Sequence, residues 1–425
     1  MQVEIAALAR SSYQSGGIVK LPLASIIVTN HNYSAYVAAC IQSALDQTYS
    51  NIEIVIVDDA STDDSIEVIE GFIKNRPSCR LIRRTVNGGQ GAAMLDGLRA
   101  SSGDFICFLD ADDILFPNFT SAHVFVHLAL RQQVAFTSSD LVHINAAGRV
   151  LTGSSGIIRN IFLSDSPDSD IALADLAISD EIDAVLNPQR QAIRRCIHVP
   201  NTRLGYHWSS CSGLVFKRAA LEMLSFEDVL LQMRISADFY WTLCHFICGS
   251  AVIDSKLGAY RIHGRNGYSA QPFLDGIDTS SGAPNNKYLF IDSLRATAAM
   301  ITGARLEHFW KLLGGEWLFP PFVARLQNYC ETFNRDGVDV RFFAHGLAAS
   351  AGKLAALSTK NYVLYLLRDG LDLSEQELIR YGLLEPPPPK PPESYLRKFL
   401  KALVSPRLAL HYARRLVWRL APSKS

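Results

Sequence analysis

Four short apolar runs alternate with stretches of helical periodicity between Ser25 and Asp113, and this alternation constrains the fold more than any other feature. The runs are rich in β-branched residues, as in Ser25–Thr29 and Asn51–Val57. Strands that alternate with helices form a parallel sheet, because each right-handed crossover lays its helix on one face. We therefore predict an α/β fold with a mostly parallel, Rossmann-like sheet flanked by helices.

Two of the predicted strands end in carboxylates. Asp58 and Asp59 follow the second run, and Asp110, Asp112 and Asp113 follow the fourth. Ligands of open α/β sheets bind beyond the carboxyl ends of the strands. Asp110 and Asp112 are expected to point to one place, where two carboxylates repel unless a cation such as Mg²⁺ or Mn²⁺ lies between them. The alternatives are a polar strand exit and, for the first pair, a helix cap.

A glycine-rich stretch, Asn87–Gly91, comes just before a predicted helix. It has neither the Walker pattern nor the G-x-G-x-x-G spacing. We interpret it first as a turn and second as a phosphate loop.

Composition excludes some classes of function. The 41 basic residues balance the 41 acidic ones, which argues against a nucleic-acid partner. The eight cysteines include no Cys-x-x-Cys pair, which favours buried thiols in a reducing compartment over disulfides or a zinc site. Residues 1–22 lack the pattern of a signal peptide, and no apolar run approaches 18 residues. We expect a cytoplasmic protein, peripheral at the inner face of the membrane.

The strand-end motifs occur in the order and spacing of a known family. They are Asn30–Asn32, Val57–Asp63, Asn87–Gly89 and Leu109–Asp113. From about Leu23 to Ser269 the chain resembles family 2 glycosyltransferases. The resemblance implies a GT-A fold and a sugar transfer that inverts the anomeric centre.

The resemblance also implies roles for individual residues. Asp59 would bind the base, Asp110 the ribose and Asp112 the metal, Mg²⁺ or Mn²⁺. The residues expected in the nucleotide site are Thr29, Asn30, Asp58, Asp59, Asn87 and Asp110. The family often has Pro-Thr-Tyr-Asn where this chain has Thr29-Asn30-His31-Asn32.

Two later stretches complete the expected site. Ala237-Asp238 opens a predicted helix, where an Asp is often simply favoured by the helix dipole. The family keeps its catalytic base in a (Glu/Ala)-Asp pair at this point, so Asp238 is the expected base. Tyr260–Ser269 resembles the family's Tyr-Arg-x-His-x-x-Asn-x-Ser. The resemblance makes His263 a metal ligand or diphosphate contact, and Arg261 either a phosphate contact or a salt-bridge partner of the acids.

The expected organisation has five parts, with helices Tyr288–Ile301, Leu306–Leu313, Pro320–Phe333 and Val340–Leu367 in the third. The parts are an N-terminal extension (1–22), the GT-A domain (23–284, with a probable insertion near the acceptor site at 156–207), a helical domain (285–385), a proline-rich linker (386–392) and a basic amphipathic tail (393–425). The tail's alternation of cationic and apolar residues suits an anionic membrane surface. Docking on an acidic protein surface is the alternative.

The expected function is metal-dependent, inverting transfer of a sugar from a nucleotide sugar, a UDP-sugar by preference, to a glycan or lipid-linked acceptor in surface polysaccharide synthesis. One alternative is a sugar-nucleotide-binding scaffold without catalysis. The other is a nucleotidyltransferase, which is disfavoured because residues 25–33 contain neither glycine nor lysine.

Overall fold

The computed structural model describes residues 20–130, 132–154, 193, 195–201, 203, 207–266, 272–273, 276–277, 305–315, 319, 322–323, 342–370 and 373–385. The chain divides into two compact units, Met1–Leu373 and Ser374–Ser425. Most of the expected insertion, the expected helices Tyr288–Ile301 and Pro320–Phe333, the linker and the tail lie outside the described residues.

The predicted alternation gives the central part of the sheet. The first four strands are β1 (Ala24–Asn30), β2 (Ile52–Asp58), β3 (Cys79–Arg83) and β4 (Phe105–Asp110). They are parallel and lie in the order β3-β2-β1-β4. In this register Asn30 lies beside Asp58, and Thr29 lies beside Asp110. The strand-end side chains are therefore neighbours because of the strand order.

Six further strands belong to the same sheet beyond β4. They are β5 (Ile114–Leu115), β6 (Phe136–Asn145), β7 (Val150–Thr152), β8 (Cys196–Val199), β9 (Leu214–Lys217) and β10 (Ser250–Ile262), of which β7 and β8 lie off the main order β4-β9-β6-β10-β5. β9 is antiparallel to both β4 and β6, whereas β10 runs parallel to β6. The turn between β6 and β7 is the hairpin that the glycine at position 148 favours, with φ of +81° there. A two-stranded ribbon, β11 (Pro272–Phe273) and β12 (Gly276–Ile277), stands apart from this sheet.

Helices cover the sheet on both faces. Those of the first unit are α1 (Ser34–Leu45), α2 (Ser65–Ile73), α3 (Gln90–Ala100), α4 (Phe119–Ala129), α5 (Arg218–Glu222), α6 (Glu227–Leu230), α7 (Ala237–Trp241), α8 (His245–Cys248), α9 (Leu306–Leu312), α10 (Phe342–Ala349), α11 (Ala351–Leu357) and α12 (Lys360–Tyr365); the second unit has α13 (Glu375–Arg380). Ile26, Ile27 and Val28 of β1 have no exposed surface, as expected for a strand covered on both faces. Gly97 allows α3 to lie directly on β1, because a Cβ there would be 2.2 Å from Ile27 Cγ2.

The α/β fold class expected from the sequence is confirmed by this mostly parallel sheet and its flanking helices. The seven described cysteines are free thiols, five of them buried, as the composition indicated. The expected helix Val340–Leu367 is wrong as a single element: Ser350 separates α10 from α11, and Ser358-Thr359 separates α11 from α12. At the second break the Thr359 hydroxyl accepts a hydrogen bond from the Tyr362 N–H and caps α12. Among the described residues, no helix combines the length and apolar character needed to cross a membrane.

Candidate active site

The turn after β4 is anchored by one deeply buried carboxylate. Asp113 is fully buried and accepts hydrogen bonds from Ser212 Oγ at 2.6 Å and from the backbone N–H of Arg261 at 2.8 Å. Its own N–H donates to the carbonyl of Asp110 at 3.0 Å. Burial, with the neighbouring charges of Asp112 and Asp110, raises the pKa of Asp113. Asp113 therefore fixes the turn, and leaves the other two aspartates for ligands.

Asp110 lies at the carboxyl edge of the sheet and is only partly buried. Its Oδ1 accepts from Gln90 Nε2 at 3.3 Å and from Thr29 Oγ1 at 3.5 Å. Burial, then the charges of Asp112 and Asp238, raises the pKa of Asp110 to about 7. These three acids thus belong to one electrostatic site. Asp110 and Asp112 have different hydrogen-bond partners, and their expected convergence on one cation stays a prediction.

Asp112 pairs with the predicted histidine. Its Oδ2 is 2.9 Å from His263 Nε2 and 3.4 Å from Asn266 Nδ2. The backbone N–H of Arg265 lies 3.2 Å from His263 Nδ1, so Nδ1 accepts and Nε2 carries the proton that is donated to Asp112. The imidazole stacks on Tyr36, with ring centroids 4.9 Å apart and planes at 19°. The structure thus brings His263 and Asp112 together, while their expected role as metal ligands stays a prediction.

The Asp112 carboxylate is the kind of ligand that Mg²⁺ and Mn²⁺ prefer, and His263 would be its neighbour in a metal site. His263 joins as a ligand only if its proton moves to Nδ1, which breaks the contact with Arg265. Within the described residues no group of three or more His, Cys, Asp or Glu side chains is arranged to hold a metal. The remaining ligands would therefore be substrate phosphates and water, the usual situation for Mg²⁺.

Arg261 supports the backbone of the turn after β4. Its buried guanidinium donates to three backbone carbonyls: from Nε to Asp112 at 2.8 Å, and from Nη1 to Ala146 at 3.1 Å and to Asn145 at 3.3 Å. It also lies over the Tyr36 ring, 5.0 Å from the centroid. These contacts support the turn that carries Asp112. The diphosphate contact expected of Arg261 stays a prediction.

The first two strand ends are tied together by Asp58. This carboxylate is buried and accepts from Asn30 Nδ2 at 2.7 Å, from Ser61 Oγ at 2.6 Å and from the Ser61 N–H at 2.9 Å. Asn30 is buried as well, whereas Thr29 and Asp110 beside it are partly exposed. A ligand at this edge can reach the exposed pair more easily than the buried pair.

Asp59 holds the glycine-rich stretch in place. Its two oxygens accept from the N–H groups of Gly88 at 2.8 Å and Gly89 at 2.7 Å, and Arg84 Nε is 2.8 Å from Oδ1. The next two N–H groups, of Gln90 and Gly91, donate to protein carbonyls at 3.1 and 2.9 Å. The N–H groups of residues 88–91 are therefore all used within the protein, which favours a turn over a phosphate loop.

Asn87 joins the first turn to the segment before α7. Its Nδ2 is 2.9 Å from His31 Nε2, and its carbonyl and Oδ1 accept from Arg234 at 2.6 and 2.5 Å. His31 Nδ1 lies 2.9 Å from the carbonyl of Asp59. The amide of Asn87 thus has partners on both sides, and its predicted nucleotide contact remains a prediction.

Asp238 stands in the first turn of α7. Ser236, two residues before Asp238, has a left-handed backbone with φ of 57°, and its side chain makes no capping hydrogen bond to the helix. Gln90 Oε1 accepts the N–H of Ala237 at 3.0 Å instead. Burial raises the pKa of Asp238, while the backbone N–H of Phe239 opposes the shift. A carboxylate with a raised pKa is a better proton acceptor at neutral pH.

Several residues at this site were missed by the sequence reasoning. They are His31, Tyr36, Gln90, Ser212 and Arg234. The sequence held a signal for Gln90, which stands between two glycines. Glycines mark places where another backbone comes close, so a polar side chain between them is placed to contact that backbone.

The comparisons with known proteins agree on a family. Residues 25–147 match the model of glycosyl transferase family 2. An uncharacterized glycosyltransferase of Nostoc sp. is 31% identical over 248 residues, which is 57% of this chain and 66% of the relative. A chondroitin synthase of Escherichia coli is 36% identical over 109 residues, 26% of this chain and 16% of the relative. The chain thus spans less than two thirds of these relatives.

Among solved structures, TarS of S. aureus (residues 1–349) is similar at a TM-score of 0.44 and 16% identity, covering 84% of this chain and 91% of that chain. The matched residues 25–147 contain nearly all of β1 to β4, with the acids at the ends of β2 and β4. Over residues 25–147 this chain is similar to glycosyl transferase family 2.

Proposed function

We propose that the chain is a metal-dependent, inverting glycosyltransferase that uses a nucleotide sugar, with UDP as the nucleotide. The observation that carries the proposal is the placement of Asp238: it lies in the first turn of α7, where Gln90 joins the N–H of the preceding residue, Ala237, to Asp110 at the carboxyl edge of the sheet. Burial also raises the pKa of Asp238. A base and a nucleotide-binding acid in one site are what a direct displacement requires.

The residues divide the reaction between them. An acceptor hydroxyl attacks the anomeric carbon, and its proton passes to the Asp238 carboxylate as the new C–O bond forms. The bond from that carbon to the diphosphate oxygen breaks, and the electron pair leaves with the diphosphate. A divalent cation at Asp112 and His263 would neutralise charge on that leaving group. No covalent intermediate with the protein is needed.

The donor would lie along the exposed strand ends. Asp110, beside Thr29 and only partly buried, is suited to accept hydrogen bonds from ribose hydroxyls. Asp58 and Asp59 are buried and already accept several hydrogen bonds from the protein, so they hold the loops next to this surface in place. The acceptor is a glycan or a lipid-linked glycan, a proposal to which the name of the chondroitin synthase relatives lends support.

The first test is a binding panel of UDP, GDP, dTDP and CMP, each with and without Mn²⁺, measured by calorimetry and thermal shift. We expect UDP to bind and the binding to strengthen with Mn²⁺, since a ligand that binds only the folded state raises its apparent stability. Asp238→Asn should keep this binding and lose release of UDP from UDP-sugars by about 10²-fold or more. Turnover at the wild-type rate in that variant would refute the assignment of the base.

Two rival functions have distinct outcomes in the same panel. A scaffold binds a nucleotide but never releases it from a sugar nucleotide, whatever acceptor is offered. A nucleotidyltransferase releases pyrophosphate from a nucleoside triphosphate, and the structure does not favour it because the backbone donors before α3 are engaged by Asp59, Met233 and Arg234.

A further inference from the structure

The glycine-rich stretch has a use that phosphate binding does not explain. Gly89 and Gly91 lie against the segment that leads into α7: a Cβ on Gly89 would be 2.6 Å from Arg234 Cα, and one on Gly91 would be 2.3 Å from the Leu230 carbonyl oxygen. The residue between them, Gln90, is the first residue of α3. The two glycines thus allow the backbones to approach, and Gln90 stands at the contact.

Gln90 makes hydrogen bonds to both acidic parts of the site. Its Nε2 donates to Asp110 Oδ1 at 3.3 Å, and its Oε1 accepts the N–H of Ala237 at 3.0 Å. Its own backbone N–H donates to the Arg234 carbonyl at 3.1 Å. The amide therefore spans from the end of β4 to the residue just before Asp238.

The contact at Ala237 replaces a missing helix cap. Helix starts leave N–H groups without partners, and an N-cap side chain normally accepts one of them. Ser236 makes no such bond, and its left-handed backbone is a strained conformation for a residue other than glycine. Gln90 takes over this task from a different part of the chain and holds the first turn of α7 in position.

We propose that Gln90 is a positioning residue of the transfer reaction: its amide fixes the distance between Asp110, which holds the donor, and Asp238, which accepts the proton of the acceptor. This inference rests on the proposed function for the roles of the two acids. The hydrogen bond to Ala237 orients Asp238, and the hydrogen bond to Asp110 orients the carboxylate that holds the sugar nucleotide.

Two variants separate these bonds. Gln90→Leu loses both. Gln90→Glu keeps an oxygen that accepts from Ala237 N–H, but it places a carboxylate against Asp110. Protonation of the introduced carboxyl group at lower pH would restore a donor to Asp110. The charged groups that face Asp110, namely Asp112 and Asp238, are present in wild type and variants alike, so each variant is compared with wild type at the same pH.

Gln42 supplies a matched control. It is exposed on α1, and its side chain donates to Asp46, the residue just after that helix, at 2.7 Å. Gln42→Leu and Gln42→Glu repeat the chemical changes away from the site. All variants keep the full chain and are first checked for wild-type circular dichroism.

Three measurements are made with UDP and UDP-sugars as probes. Hydrogen–deuterium exchange of the peptide that contains Ala237 should speed up in Gln90→Leu and stay slow in Gln90→Glu. For Gln90→Leu, kcat for UDP release should fall by about tenfold or more. For Gln90→Glu, the affinity for UDP should fall about fivefold at pH 8 and return towards wild type at pH 6.

The outcomes separate the inference from the proposed function. Wild-type exchange and wild-type kcat in Gln90→Leu would overturn the positioning role. If the wild type itself releases nothing from any UDP-sugar, the proposed function fails, while the exchange and UDP-binding measurements still decide whether Gln90 holds α7 and Asp110. Loss of kcat in both Gln90 variants at both pH values, with exchange unchanged, would also contradict the proposal, since it would separate activity from the contact with Ala237.

Discussion

Asp59 is the sharpest test of which acids support the site and which bind ligand. The family resemblance assigns this residue to the base, whereas its contacts make it the anchor of the glycine-rich turn. Its side chain is only 5% exposed and accepts from the N–H groups of Gly88 and Gly89. We predict that Asp59→Asn destabilises the fold even in the absence of any nucleotide.

The size of the loss follows from these contacts. A hydrogen bond to a charged group contributes about 1.5–3 kcal/mol. In Asp59→Asn one oxygen still accepts from a glycine N–H, but the new amide nitrogen faces the other N–H as a second donor. Arg84, whose side chain is 18% exposed, also loses one of its two carboxylate partners and keeps Asp96, and solvent at that exposure reduces the effect. We expect the free energy of unfolding to fall by about 3 kcal/mol.

Urea unfolding followed by circular dichroism at pH 7 measures this change. Asp64→Asn is the matched control, because Asp64 is exposed, caps α2 without a side-chain hydrogen bond, and lies in the same β2–α2 connection. The control should stay within about 0.5 kcal/mol of wild type. If Asp59→Asn is as stable as the control but no longer binds UDP, the support argument is wrong and Asp59 is primarily a base contact.

Three other predictions concern packing, pH and the tail. Gly91→Ala should lower the free energy of unfolding by about 1–3 kcal/mol, because the added Cβ meets the Leu230 carbonyl oxygen. A Cβ added at Gly71 has no atom within 4 Å, so Gly71→Ala should raise the free energy of unfolding by about 0.5–1 kcal/mol in the same urea assay. Burial lowers the pKa of His127 from 6.5 to about 3. The stability that the neutral imidazole contributes is therefore fully present above pH 6.5 and is lost as the pH falls towards 3. Urea midpoints measured from pH 7.5 to 4 should fall less steeply in His127→Gln than in the wild type. Deleting residues 386–425 should abolish co-sedimentation with anionic vesicles, and unchanged binding would refute the membrane role of the tail.

Much of the fold was predictable from the sequence because its signals are local. The four parallel strands follow from apolar runs, and the run that ends at Asp110 coincides with β4. The acids at strand ends, and the partnership of Asp112 with His263, followed from motif order. In contrast, the role of Gln90 depends on a segment 147 positions further along the chain, and nothing near Gln90 in the sequence indicates which backbone its amide would meet.

The glycine-rich stretch is a second case in which the local sequence does not identify the partner of a group. Its pattern predicts a turn, but a pattern cannot tell whether the turn's N–H groups face a phosphate or a carboxylate of the protein. Asp59 decides the matter, since a carboxylate that accepts from Gly88 and Gly89 does for the turn what a phosphate does in a nucleotide loop.

Five of the six aspartates of this edge therefore fall into two kinds that the sequence alone does not separate. Asp58, Asp59 and Asp113 are buried and accept short hydrogen bonds from backbone, amide or hydroxyl groups, so their oxygens hold loops in place. Asp110 and Asp238 are partly exposed, with pKa values raised by burial and, for Asp110, by its neighbours. Acids of this second kind gain most from a ligand that brings hydroxyl groups or a proton. A site built in this way keeps its unsatisfied charge only where substrates can reach it.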